Sequence, residues 1–460
     1  MKHLQLPTAI AVMNKINFLT LTFLITGLIN PTPVSAEAIT SSQAISNLSL
    51  QAPNVPVPKD VVAEQEKIWK KTYENYIGSS FSNELMTAKA ISYTLRRIKT
   101  QTGKNSAVVY LIPTEKQLKI LLVTPKNNPV TKNIQAANKE ALLKITKQFQ
   151  TELSNPREVD NTNYLASAKQ LYQWLIAPIE KDLKAENIDT LVFCVGVGLR
   201  SVPFSALHDG KQFLVEKYSV SLIPAFSLTD TRHSDIRNFS VLAMGASQFK
   251  NLEPLPAVPI ELSTIVQNKG GSHFLNDKFT LENLRSQRKQ KPYKIIHLAT
   301  HGVFQPGSAS NSYIQFWNTK LQLNQLRQLQ LNIPPVELLV LSACRTALGD
   351  QQAELGFSGL ALEAGVKSAM GSLWSVSDAG TLALMTEFYK HLRTSPIKAE
   401  ALRQTQIGML NKQIQIKQGQ LRQAGLRAGT PLPPEIAQLG DFNLSHPYYW
   451  AAFTMIGSPW

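Results

Sequence analysis

With 460 residues, 43% of them hydrophobic and 17% charged, and no long low-complexity tract, the chain is globular and long enough for two domains or for one large domain with an appendage. Its formal charge of +15 is scattered rather than blocked. The densest basic group, Arg285, Arg288, Lys289, Lys291 and Lys294, lies at an ordinary helix-to-strand link, so the charge reads as a solvated surface and gives no ground for a nucleic-acid partner.

The first segment carries an address. Lys2 and Lys15 precede an apolar stretch at 16–29, then Pro31, Pro33 and Val34-Ser35-Ala36 before Glu37. A positive start, a short apolar middle and a small-x-small exit predict a signal peptide at 1–36 and an exported protein, periplasmic or extracellular. The alternative is an uncleaved membrane anchor, and Met13 is a second possible start. No other segment is long and apolar enough to span a bilayer, so the mature chain is expected to have no membrane span. Residues 37–61, with Pro53, Pro56 and Pro58, read as a flexible linker.

Residues 62–163 read as an N-terminal helix, hairpin and helix region, a small α+β segment with a plausible boundary at Pro156 and 160–163. The stretch 62–100 is helical and holds at most one repeat-sized unit. Two apolar runs, 107–112 and 118–123, flank Pro113-Thr114-Glu115-Lys116 as a hairpin. Leu142, Ile145, Phe149 and Leu153 follow at helical spacing.

From 164 to 460 helices alternate with short continuous apolar runs. Strands are expected at 190–197, 241–244, 295–300, 338–341 and 367–376. Helices are expected around Leu171 and Leu175, at 261–267, at 356–365, and through Leu382, Met385, Phe388 and Tyr389. Strands of this kind separated by helices predict an α/β fold, a mostly parallel sheet covered on both faces. The Gln-rich stretch 411–440 reads as a polar insertion or flexible arm, and 448–457 as a closing strand.

Two strand ends carry the chemistry. Ile295-Ile296-His297-Leu298-Ala299-Thr300 runs into His301-Gly302, and Leu338-Leu339-Val340-Leu341 runs into Ser342-Ala343-Cys344. In an open α/β sheet, reacting groups gather at the carboxyl ends of the strands. Adjacent strands lie about 5 Å apart, which predicts that His301 and Cys344 are neighbours. A thiol beside an imidazole is a nucleophile with its base, so Cys344 would attack a carbonyl carbon and His301 would take and return the proton. The N–H groups of Gly302 and Cys344 would form the oxyanion hole. Asp378 would either cap the following helix or supply a carboxylate to a pocket for a basic P1 side chain. Cys194, within an apolar run, would be a buried thiol, although a disulfide to Cys344 would silence the nucleophile. His297 reads as structural. His297-x-x-x-His301 lacks the glutamate of a zinc motif, and Gly196-Val197-Gly198 lacks a third glycine, so no metal and no cofactor are expected.

Four ordered stretches then give a resemblance: His297-Leu298-Ala299-Thr300-His301-Gly302, Leu341-Ser342-Ala343-Cys344-Arg345-Thr346-Ala347, Ser372-Leu373-Trp374-Ser375-Val376-Ser377-Asp378 and His446-Pro447-Tyr448-Tyr449-Trp450-Ala451-Ala452-Phe453. With Leu199-Arg200-Ser201-Val202-Pro203-Phe204, they resemble a CHAT domain over about 164–460, the caspase-like domain common in cyanobacteria and other bacteria. The resemblance implies a caspase-haemoglobinase fold, relatedness to separase, and a His-Cys dyad at His301 and Cys344. It further implies a protein or peptide substrate and an acidic pocket residue at Asp378 for cleavage after basic residues. It departs at Arg345, where Glu or Gln is expected, and in the want of upstream repeats. The alternative is a catalytically weak CHAT module that binds protein partners.

Overall fold

The computed structural model describes residues 60–460 apart from 82, 83, 85, 127, 128, 347, 349 and 425–428, and for 343–346 it describes the backbone. The expected signal peptide and nearly all of the linker lie outside the described residues. Among those described, no helix is long and apolar enough to cross a membrane.

The first elements are α1 (Val61–Ile77), α2 (Ala88–Thr102), the strands β1 (Ser106–Pro113), β2 (Leu118–Val123) and β3 (Val130–Ile134), and α3 (Lys139–Ser154). Helix α1 begins where it does because Asp60 Oδ1 accepts from the N–H groups of Val62 and Ala63, at 3.0 and 3.1 Å. It stops at Gly78, whose φ of 74° suits a residue without Cβ. Next come α4 (Tyr164–Leu175), α5 (Ala177–Ala185), β4 (Thr190–Val195), α6 (Leu214–Lys217), β5 (Ser219–Ile223), β6 (Val241–Gly245), α7 (Val258–Lys269), β7 (Gly271–Leu275), α8 (Leu281–Gln290) and β8 (Ile295–Phe304). The chain continues through β9 (Tyr313–Gln315), β10 (Lys320–Gln322), β11 (Leu338–Thr346), α9 (Gln351–Ser358), α10 (Leu360–Ala364), β12 (Ser368–Ser372), α11 (Asp378–His391) and α12 (Lys398–Leu410). It closes with β13 (Ile414–Lys417), β14 (Gln420–Gln423), β15 (Thr430–Pro431), α13 (Pro434–Ala437), α14 (Pro447–Trp450) and β16 (Phe453–Gly457).

Thirteen strands form one mixed, mostly parallel sheet in an α/β fold. One parallel block holds β7, β6, β8, β11 and β12, and a second holds β16, β5, β4 and β1. They meet antiparallel where β12 pairs β16. Because β6, β8, β11 and β12 run the same way, their carboxyl ends share one edge.

The N-terminal region is not a separate unit. Pro58–Trp460 is one compact body, and β1 pairs in parallel with β4 from Ser106–Thr190 to Leu111–Val195. The reason lies in β1 itself. Val109 and Leu111 face one core while Val108 and Tyr110 face the other, and all four are fully buried. A strand apolar on both faces needs cover on both sides. Helices α1 and α2 supply one through Trp69, Ile91, Leu95 and Ile98, and α3 to α5 supply the other through Leu142, Phe149, Leu171 and Ile179.

The described residues of the 411–440 stretch are likewise structured. Strands β13, β14 and β15 form a small sheet whose Ile414, Ile416 and Leu421 are buried in the main core, with the Gln side chains between them facing outward. The expected closing strand divides into α14 and β16, because Pro447 starts a helical turn capped by His446. The basic cluster near α8 is partly spent on structure, since Arg288 donates to the carbonyls of Leu329, Gln330 and Pro334.

Candidate active site

Both candidate catalytic residues lie inside the tails of their strands rather than beyond them. Strands β8 and β11 stay paired as far as Phe304 and Thr346, and β9 pairs against Gly302 and Val303 on the other side of β8. The β8–β11 register changes once. Leu341 faces Leu298 but Ala343 faces His301, so β8 carries one extra residue at 299–300. A regular ladder would set Cys344 beside His301. This bulge instead sets Gly302 beside Cys344 and leaves His301 as its diagonal neighbour. From strand spacing and rise, the two Cα positions are about 6 Å apart.

Gly302 is therefore paired on both sides, with Cys344 in β11 and Ile314 in β9. Its N–H lies in the plane of the sheet and is aimed at a neighbouring strand.

The bulge has a partner in β6. A Cβ on Gly245 would lie 2.5 Å from the Ala299 carbonyl oxygen and 2.9 Å from Val258. A glycine there lets the end of β6 press against the irregular turn of β8.

The His301 ring is held by a loop that sequence reasoning missed. Its Nε2 lies 2.8 Å from the Glu253 carbonyl oxygen, and the Phe249 ring meets it edge-on at a centroid distance of 4.7 Å. A carbonyl can only accept, so Nε2 carries the hydrogen and Nδ1 of the neutral ring keeps the lone pair. Only the identity of Phe249 offered any signal, since a backbone carbonyl is the same at every position.

Asp378 is the first residue of α11, and the cap of that helix is Ser377, whose Oγ accepts from Gly380 N at 3.1 Å. The Asp378 carboxylate instead crosses to the start of α7, where Oδ2 accepts from Ala257 N at 2.5 Å. Burial, and secondarily the nearby Glu261, push this carboxyl up to about 7, against the opposing pull of the Ala257 N–H. The segment before it is fixed by the other motifs. Trp374 Nε1 donates to Tyr448 O at 3.1 Å, and the Tyr448 hydroxyl donates to Ser375 O at 3.0 Å.

His297 is fully buried behind the site, with Nε2 2.8 Å from Glu261 Oε1 and Nδ1 3.2 Å from the Tyr389 hydroxyl, which agrees with a structural role. Cys194 is a free, buried thiol in β4. Strand β4 lies four positions from β11 in the sheet, roughly 19 Å away, well beyond disulfide reach. Burial raises its thiol well above the ordinary range. Among the described residues no group of three or more His, Cys, Asp or Glu could hold a metal ion.

Comparison by structure finds separase of Saccharomyces cerevisiae in its complex with securin, at TM-scores of 0.49 and 0.43. Each shares 9% identity and covers 86% of this chain and 33% of the separase chain. This chain thus spans about a third of the length of those it matches. The complex of the pro- and mature domains of RgpB from Porphyromonas gingivalis gives a TM-score of 0.37 at 9% identity, covering 70% of this chain and 77% of that one. Comparison by sequence with curated proteins returns no match. The profile of the CHAT domain matches residues 165–458, well over half of the chain, and takes in β8 with His301, β11 with Cys344, and the start of α11 with Asp378. With that match spanning the whole candidate site, the chain belongs to the CHAT domain family.

Proposed function

We propose that the chain is a caspase-like cysteine endopeptidase acting on protein or peptide substrates. The observation that carries this reading is the pairing of the β8 and β11 tails, which brings the His301 and Cys344 backbones to adjacent positions of one sheet edge, with His301 Nε2 occupied by the Glu253 carbonyl. The lone pair left on Nδ1 is the base. It takes the proton of the Cys344 thiol, and the thiolate adds to the scissile carbonyl carbon. The tetrahedral intermediate collapses as Nδ1 returns that proton to the leaving amine, which frees the first product and leaves a thioester. Nδ1 then takes a proton from water. The hydroxide adds to the thioester, and the second collapse releases the acid and returns the proton to the thiolate. The N–H groups of Gly302 and Cys344 are the oxyanion donors of this reading. Asp378 is the acidic candidate for a basic P1 side chain.

The test is a mixed peptide library digested by the native protein, Cys344→Ala and His301→Ala. Cleavage after Lys or Arg, lost in both variants, is the expected result. The bulge favours one other reading, a CHAT module that binds partners without cutting, because it displaces His301 from the lateral position beside Cys344. An uncleaved library with retained protein binding would select it. We further propose export, tested by sequencing the N-terminus of the processed chain, which should begin at Glu37; a retained Met1 or Met13 would contradict it.

A further inference from the structure

We propose that Asp378 is a positioning residue for His301, acting through the loop at 246–257. The loop is pinned at its start, where Ala246 N donates to Ala299 O at 3.2 Å and Ser247 N to Asn276 Oδ1 at 2.9 Å. Its neck is closed by Leu255 N donating to Ser247 O at 2.9 Å. Its exit into α7 is turned by Val258 N donating to Leu255 O at 3.1 Å, but Ala257 at that N-cap has no side chain able to cap the helix or tie it to a neighbouring element. Asp378 supplies the missing cap from another helix, through the 2.5 Å bond to Ala257 N. A carboxylate at that point also meets the positive end of the α7 dipole.

The consequence falls on the imidazole. Glu253 lies four residues before Ala257 in the pinned loop, and its carbonyl accepts from Nε2 of His301, while Phe249 of the same loop backs the ring. If the loop exit comes free, the Glu253 carbonyl is released from its 2.8 Å contact. The neutral ring then keeps only its weak intrinsic preference for Nε2–H, and the Nδ1–H form becomes populated. A ring protonated on Nδ1 presents a donor where the reaction needs a lone pair. The proposal rests on His301 as the base of the proposed peptidase. It needs no contact between Asp378 and substrate, and it leaves Oδ1 free to meet a basic P1 side chain as well.

The experiment is nitrogen NMR of His301 in the full chain labelled at histidine, with iodoacetamide labelling of Cys344 followed over pH in parallel. Four proteins are compared: native, Asp378→Ala, Asp378→Asn and Ala257→Pro. Asn keeps an acceptor for the Ala257 N–H, whereas Pro removes that N–H and leaves Asp378 intact. The expected result is a native ring almost wholly in the Nε2–H form, a mixture of tautomers in Asp378→Ala and Ala257→Pro, and a return to the native form in Asp378→Asn. Labelling of Cys344 should slow at least severalfold in the first two and recover in the third. An unchanged tautomer in Asp378→Ala overturns the proposal. Should that variant fail to fold, Ala257→Pro decides in the same way. If charge at 378 serves only to read a basic P1 residue, Asp378→Asn loses cleavage after Lys and Arg while Asp378→Ala keeps the native tautomer. The NMR readout needs no cleavage, so native tautomer control in a protein that cuts nothing would sink the peptidase reading and leave the positioning role standing.

Discussion

His446 should make the fold acid-sensitive through a single ring. It caps α14, accepting from Tyr448 N on Nδ1 at 3.1 Å, and it packs edge-on against Tyr164 at 4.9 Å. Only 7% of it is exposed, and burial lowers its pKa to about 4. Protonating Nδ1 would set two donors against each other at the cap. In the unfolded chain the ring titrates near 6.5. The native state therefore binds fewer protons between these values, so this contribution is full above pH 6.5 and is lost as pH falls towards 4. The gap of about 2.5 pH units corresponds to about 3 kcal/mol. The assay is urea unfolding at pH 7, 5.5 and 4 for the native chain and His446→Asn, whose side-chain oxygen can accept the same Tyr448 N–H. The native chain should lose up to about 3 kcal/mol more than the variant across that range. Parallel losses would refute the reasoning. The segment at stake bears on the proposed site, because the residues held by Tyr448 lead directly into Asp378.

Two further predictions concern the body of the sheet. Cys194, fully buried and with its thiol pKa raised, should resist thiol reagents in the native chain and react only on unfolding, so native labelling should mark Cys344 alone; equal labelling of both by peptide mapping would contradict its placement. A fragment of residues 164–460, close to the span of the family match, should be insoluble or molten by near-ultraviolet circular dichroism. It loses β1 and the α1–α2 cover over Val192, Cys194 and Ile223. A cooperatively folded fragment would show that 62–163 is an independent unit after all.

The apolar runs announced β4, β6, β8 and β11 because a strand covered on both faces is apolar over its covered stretch, as at 191–195, 241–245, 295–296 and 338–341. The hairpin β1–β2 was legible from its turn, but its partner was not, since nothing in Val108 or Tyr110 says which distant strand completes the ladder. The candidate site was legible as residue types and not as register. The bulge at 299–300 lies in an ordinary Ala-Thr pair, and the β6 side of the arrangement rests on Gly245, an unremarkable glycine in sequence. Asp378 was foreseen as a cap or a pocket acid. Ser377 took the local cap, which left the carboxylate free to reach Ala257, 121 positions away in sequence. The Gln-rich stretch misled because its outward residues dominate the composition, while Ile414 and Ile416, two apart, face the core.

The central claim is that His301 activates Cys344, and the rate of iodoacetamide labelling at Cys344 tests it most directly. At pH 7, labelling in the native chain should exceed that in His301→Ala by about tenfold or more, because an imidazole partner raises the thiolate fraction above the few per cent of a free cysteine. The pH profile of the native chain should rise well below 8.5, and that of His301→Ala only near it. Slow labelling at a free-cysteine rate, unchanged by the loss of His301, would contradict the dyad.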